Sequence, residues 1–255
     1  MCGTCGCGQQ EARVTALPHG HDQHSDSHTH SHSHSHTPTR TVLIEEDVLA
    51  KNNRLAERNR AWLAARGAVA VNVMSSPGSG KTTLLERTLR ELSDTGPARP
   101  VCVIEGDQET LLDAERIRAT GCPVVQINTG AGCHLDADML RHALAELDPA
   151  PGALVFVENV GNLVCPALFD LGETRRVVVM SVTEGVDKPL KYPHMFAAAD
   201  LMVVNKTDLL PYVDFDLARF SDNTRRVNPR AQLVYLSATR GDRLIDWYGW
   251  LGALP

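Results

Sequence analysis

The sequence is poor in aromatic residues, 5% of 255, and no apolar run approaches the roughly 20 residues needed to cross a bilayer. A membrane anchor of that kind is excluded from the reading. Positive charge is not in excess: 25 Lys and Arg stand against 31 Asp and Glu, a net charge of −6. Nothing here suggests the basic footprint of a nucleic-acid binder. The seven cysteines are odd in number and three crowd into Cys2–Cys7, which does not make a disulfide framework. The first 30 residues hold no apolar stretch of the secretory kind. A reducing, cytoplasmic compartment is the expectation, with thiols available as ligands.

What is present is unevenly distributed. Residues 1–40 carry 8 of the 11 histidines and 3 of the 7 cysteines, but no Phe, Trp or Tyr. Such a segment cannot bury enough apolar surface to offset its ordering entropy, so it reads as a disordered metal-binding tail. It begins with Cys2, Cys5 and Cys7, three thiols that can wrap one soft cation. The fourth ligand is open, the terminal amine or a histidine. A planar amine–thiolate set would favour nickel and a tetrahedral thiolate–imidazole set zinc. A tract follows with His19, His21, His24, His28, His30, His32, His34 and His36, a composition that seeks metal.

Residues 41–255 read as one domain with a leading helix over Glu45–Arg66. Strands are expected at Ala68–Met74, Val101–Ile104, Val124–Ile127, Leu154–Val157, Val177–Val182, Leu201–Val204 and Leu233–Leu236. Helices are expected at Thr82–Ser93, Thr110–Ala119, Asp136–Leu147, Phe215–Arg225 and Arg243–Leu251. This alternation is the signature of an α/β fold, a mainly parallel sheet with helices on both faces.

The first strand runs into Ser75-Ser76-Pro77-Gly78-Ser79-Gly80-Lys81-Thr82-Thr83, a phosphate-binding loop between strand and helix. Ser75 replaces the first glycine of the general pattern. Gly78 and Gly80 let the backbone close around phosphate, with Ser79, Thr82 and Thr83 beside them. Lys81 would reach the β- and γ-phosphates and Thr82 would ligate magnesium. Farther on, Asn205-Lys206-Thr207-Asp208 follows a strand and Ser237-Ala238 follows the last one. The Asp208 carboxylate can accept from N1–H and N2–H of guanine, and adenine offers no such pair. The stem of Lys206 can cover the ring, and the Ser237-Ala238 loop resembles one that contacts the guanine oxygen. GTP and GDP are therefore the expected ligands, with slow hydrolysis. Asp107 is assigned to magnesium or the attacking water and Glu158 to the magnesium shell. Gly161 would sense the γ-phosphate.

Cys133-His134 is an adjacent thiol and imidazole in a glycine-rich loop, half of a site for nickel or zinc. A two-fold dimer would double it. Cys165 lies four residues past Gly161, within about 13 Å by chain reach. If Gly161 moves with the nucleotide, Cys165 moves too. Cys102 and Cys122 read as structural, and His142 and His194 as non-ligands.

These residues together resemble the HypB family, GTPases that help insert nickel into [NiFe] hydrogenase. The resemblance runs from about Val42 to Leu251. It rests on residues 75–83, Ile104-Glu105-Gly106-Asp107-Gln108, Gly132-Cys133-His134-Leu135-Asp136-Ala137, residues 158–166 and Asn205-Lys206-Thr207-Asp208. Ser75 is normal for that family. The resemblance implies a P-loop GTPase that forms nucleotide-dependent homodimers, with Cys133 and His134 as a shared metal site and Cys165 contributing to nickel. It also implies a HypA-like partner and the hydrogenase large subunit as client. The rivals are a nickel or zinc store whose GTPase is regulatory, and a chaperone for another enzyme such as urease.

Overall fold

The computed structural model describes residues 40–95, 99–107, 112–130 and 132–255. Cys2, Cys5, Cys7 and the histidine tract from His19 to His36 lie outside them. Helix α1 spans Arg40–Ala65, starting five residues before the expected Glu45. Then follow β1 (Val69–Ser75), α2 (Lys81–Thr95), β2 (Val101–Asp107), α3 (Leu112–Arg118), β3 (Val124–Asn128), α4 (Ala137–Leu147) and β4 (Leu154–Gly161). Three short helices were not expected: α5 (Cys165–Leu168), α6 (Lys188–Lys191) and α7 (Pro193–Ala197), with β5 (Arg175–Ser181) between the first two. The chain continues through β6 (Leu201–Asn205), a 3-10 turn at Thr207–Tyr212, α8 (Leu217–Val227), β7 (Gln232–Tyr235) and α9 (Leu244–Gly252).

The seven strands form one sheet in the order β3-β2-β4-β1-β5-β6-β7, every pair parallel. Parallel strands are covered on both faces, so their sequences read as unbroken apolar runs. In the central strand β1 all seven residues are buried, five of the first six apolar and the polar Asn72 and Ser75 enclosed with them. Alternate side chains go to opposite faces. Val69, Val71 and Val73 pack with Leu84, Leu85, Phe156 and Trp247 beneath α2 and α9. On the other face Ala70 joins Leu63, Leu135, Leu140 and Val157 beneath α1 and α4. Met74 joins Phe196 and Phe220 beneath α7 and α8. Buried Trp247 also donates its indole N–H to Thr88 Oγ1 at 2.9 Å, so its polar atom is satisfied.

Two strands run past their expected ends. β2 continues from Ile104 through Asp107, and β4 from Val157 through Gly161. Polar residues in these tails are paired as strand because they sit at the carboxyl end of the sheet, where open α/β folds place ligand sites. The pairing of β4 with β1 slips by one residue between Glu158 and Gly161, opposite Val73 and Ser75. That bulge puts Asn159 and Val160 out of step with β1. Among the described residues, no helix is long and apolar enough to cross a membrane.

Candidate functional site

The loop after β1 turns on glycine. Gly78 has φ 70° and Gly80 φ 95°, conformations that L side chains rarely adopt. A Cβ on Gly80 would also stand 2.5 Å from the Asn205 amide nitrogen. Ser75 closes β1 without a positive φ, which is why no glycine is needed there. Its hydroxyl donates to the Ser76 carbonyl at 2.6 Å. The Ser76 hydroxyl donates to Glu184 Oε2 at 2.6 Å, and Glu184 also accepts from the Ser181 N–H at 3.0 Å. Glu184 thus ties the loop to the end of β5, a role the sequence did not reveal.

Thr82, in the first turn of α2, donates its hydroxyl to Glu158 Oε1 at 2.6 Å. The Lys81 ammonium stands 3.6 Å from the same oxygen. Glu158 lies inside β4, not after it, and faces Glu105 of β2 as its register partner. Both carboxyls are only 2% exposed. Burial pushes the Glu158 carboxyl up, against the pull of Lys81 and the Thr82 hydroxyl. Ser79 Oγ, Glu105 Oε2 and Glu158 Oε2 are buried without a hydrogen-bond partner. Buried polar atoms nearly always have one, and two carboxylates beside a threonine hydroxyl are the hard oxygen donors that magnesium takes. The residues present fit that ion.

Glu105 was not singled out in the sequence, although it lies two residues before Asp107. Burial first, then the charges of Glu158, Asp107 and Asp113, push its carboxyl from 4.5 to about 8. The folded protein therefore holds a proton that the unfolded chain has released between those values, and stability falls as pH rises through that window. Glu105→Gln should remove this slope. In metal-free protein its melting temperature should gain on the parent between pH 5 and 8, and a pH-independent gap would refute that origin.

Asn205 is the knot of the base-side loops. Its amide donates to the Ser79 carbonyl at 2.9 Å, and its Oδ1 accepts from the N–H groups of Lys206 and Ala238 at 2.7 and 3.0 Å. Lys206 has φ 62°, and its ammonium reaches the Gly78 carbonyl at 2.7 Å. Asp208 sits in the 3-10 turn that follows. Buried Ser237 accepts the Arg240 N–H on its hydroxyl at 3.1 Å. Thr83 turns aside, accepting Arg116 Nη2 on its hydroxyl at 3.2 Å. Gly161 packs on the phosphate loop, where a Cβ would meet Pro77 Cα at 3.2 Å.

The second cluster lies on the loop between β3 and α4 and at the start of α5. Ligand atoms of Cys133, His134 and Cys165 fall within 4.8 Å of one another. The two sulfurs are 2.8 Å apart, and Cys133 Sγ is 3.6 Å from His134 Nδ1. The four described cysteines are thiols. A tetrahedral cation bound at about 2.3 Å to each sulfur needs them about 3.8 Å apart, so metal entry would open this pair. Soft thiols with an imidazole suit nickel or zinc. Burial holds the His134 imidazole below its ordinary value, favouring the neutral ring.

Phe169, which no local sequence pattern marks, stacks on that ring with centroids 3.8 Å apart. Asp136 caps α4 by accepting the Met139 N–H at 2.8 Å, which fixes the helix start beside His134. The Gly132 N–H bonds the Thr129 carbonyl, and the Thr129 N–H bonds the Asp107 carbonyl at 2.9 Å. The α1 side chain of Asn59 donates to the carbonyls of Ala137 and Leu171 at 2.8 and 2.9 Å, bracing both segments that carry the cluster. Cys102 is buried in the core and Cys122 half-buried.

A phosphate loop at the carboxyl end of a parallel sheet defines a P-loop NTPase. The family model for the CobW/HypB/UreG nucleotide-binding domain matches residues 69–235. Hydrogenase maturation factor HypB of Escherichia coli (strain K12) is 58% identical over 212 residues, covering 83% of this chain and 72% of that protein. The crystal structure of the Archaeoglobus fulgidus HypB is 42% identical with a TM-score of 0.72, over 80% of this chain and 98% of that one. The Helicobacter pylori HypB, solved in complex with nickel, is 37% identical with a TM-score of 0.72, over 79% and 93%. The chain belongs to the CobW/HypB/UreG family and, within it, to the HypB maturation factors.

Proposed function

We propose that this chain is a GTP-hydrolysing nickel carrier that serves maturation of [NiFe] hydrogenase. One observation carries the reading: Cys133, His134 and Cys165 converge within 4.8 Å, the first two on a loop whose Thr129 N–H bonds the Asp107 carbonyl, the third on the segment that continues from Gly161 beside the phosphate loop. Lys81 and the amides of Gly78, Ser79 and Gly80 would neutralise the phosphates. Magnesium, held by Thr82 and Glu158 with Asp107 and Glu105 close by, would supply charge stabilisation at the β- and γ-oxygens. Asn205, Lys206, Asp208, Ser237 and Ala238 would read guanine. The chemistry is positioning and charge neutralisation, and needs no covalent intermediate.

Nickel is the cargo. The tail ligands Cys2, Cys5, Cys7 and the histidines from His19 to His36 capture it. The body site holds nickel, or zinc, in a form that depends on the nucleotide. A homodimer brings two such sites together. A HypA-like protein and the hydrogenase large subunit receive the metal in the cytoplasm. The test is a nickel titration of the full chain with GDP and with a non-hydrolysable GTP analogue, read as metal content and mass. Occupancy and dimer fraction should differ between the two nucleotides, and Lys81→Ala should abolish the difference. Intact nickel insertion into hydrogenase by Lys81→Ala would sink the coupled reading and leave storage with a regulatory GTPase.

A further inference from the structure

The coupling just proposed needs a physical route, and the bulge in β4 holds a candidate. Glu158 and Asn159 are consecutive strand residues, so their side chains leave opposite faces of the sheet. Glu158 goes to Thr82 and the phosphate loop. Asn159, 1% exposed, goes to the metal loop: its Oδ1 accepts the Leu135 N–H at 3.2 Å, one residue after His134. The same oxygen accepts the Val160 N–H at 3.0 Å. The Asn159 amide donates to Asn72 Oδ1 of β1 at 3.2 Å, and the Asn72 amide donates to buried Glu173 at 3.1 Å. These groups are shut away from water, so none can exchange its partner for solvent without leaving a buried polar atom unpaired.

Leu135 is held from a second side. It is fully buried and fills the space beside Gly106, where a Cβ would stand 2.7 Å from it. The backbone that carries Cys133 and His134 is thus gripped at Leu135 by the two strands that carry Glu105, Asp107 and Glu158. A shift of β4 at Glu158 moves the Asn159 amide, and the register slip between Glu158 and Gly161 gives that segment a pairing distinct from the rest of the strand.

We infer that Asn159 is the positioning residue that transmits nucleotide state from Glu158 to the Cys133–His134 loop through its hydrogen bond to the Leu135 amide. It touches neither nucleotide nor metal. This rests on the nucleotide-coupled reading above.

The experiment uses the full chain with Cys2, Cys5 and Cys7 changed to serine, so that thiolate-to-nickel absorption reports the body site alone. Nickel(II) chloride is titrated with magnesium and either GDP or a non-hydrolysable GTP analogue. The parent ratio of nickel affinities should reach at least about fivefold, the lower end of ordinary allosteric coupling. Asn159→Ala should bring it within about twofold of one. A folded Asn159→Asp, which keeps the acceptor for Leu135 and gives up only the donor to Asn72 Oδ1, should retain most of it. A general loss of packing would lower both nickel affinities and leave their ratio standing. A folded Asn159→Ala with the parent ratio overturns the inference alone, whereas a parent ratio of one overturns the coupled reading itself. Hydrogen exchange at the Leu135 amide of the parent decides the matter without any variant: protection should differ between the two nucleotides, and equal protection refutes the route.

Discussion

Asp208→Asn should weaken GTP by about 10³-fold or more and create affinity for xanthosine triphosphate. A site built to hydrogen-bond a substrate N–H rejects the partner lacking it by several orders of magnitude. The side chain at 208 stands at a fixed place, because Asn205 locks the preceding turn through Lys206 and Ala238. An asparagine there presents an amide N–H to the guanine N–H groups, a donor facing donors. Xanthine carries a carbonyl at the same edge and restores the pairing. Nucleotide competition against a fluorescent GTP analogue measures both changes. Unaltered GTP affinity would mean that the base is read elsewhere.

Cys133→Ala should abolish stable nickel binding at the body site, with an affinity loss beyond about 100-fold. Loss of an outer partner of a ligand already costs about 10–100-fold, and Cys133 offers a direct one. Cys165→Ala should act alike, since the two sulfurs are 2.8 Å apart. In the chain with serine at positions 2, 5 and 7, thiolate-to-nickel absorption should vanish in either variant. Phe169→Ala, which only frees the His134 ring, should cost far less. Equal losses in all three would point to a collapsed loop in place of lost ligation.

Much of this was legible before any coordinate. The phosphate loop announces itself because close phosphate approach restricts the backbone to glycine at Gly78 and Gly80. β1, β4 and β6 stand out as mainly apolar because both of their faces are buried, and the polar Asn72, Glu158 and Asn159 within them are buried too. The strand ends are less legible. Glu105 and Asp107 look like loop residues, yet both are strand, Glu105 buried and Asp107 half-buried at the ligand end of the sheet. A buried carboxyl such as Glu105 carries no local signal that separates it from a loop residue. The helices α5, α6 and α7 have four or five residues each, too few to show a period. Phe169, Glu184 and Asn59 act through contacts with distant segments, and no local pattern marks such a residue. Spacing alone puts Cys165 only within chain reach of Gly161, and the family resemblance adds it to the nickel ligands; the fold brings its sulfur to 2.8 Å from that of Cys133.

Asn205 joins three loops with one side chain, and Lys206 latches a fourth contact onto Gly78. The phosphate cradle and the base cradle are therefore one rigid mould, shaped during folding. On the proposed reading, guanosine and pyrophosphate offered separately would meet halves that Asn205 and Lys206 already hold together. Joining them then gains the full advantage of a single molecule, because neither half has to recruit the other.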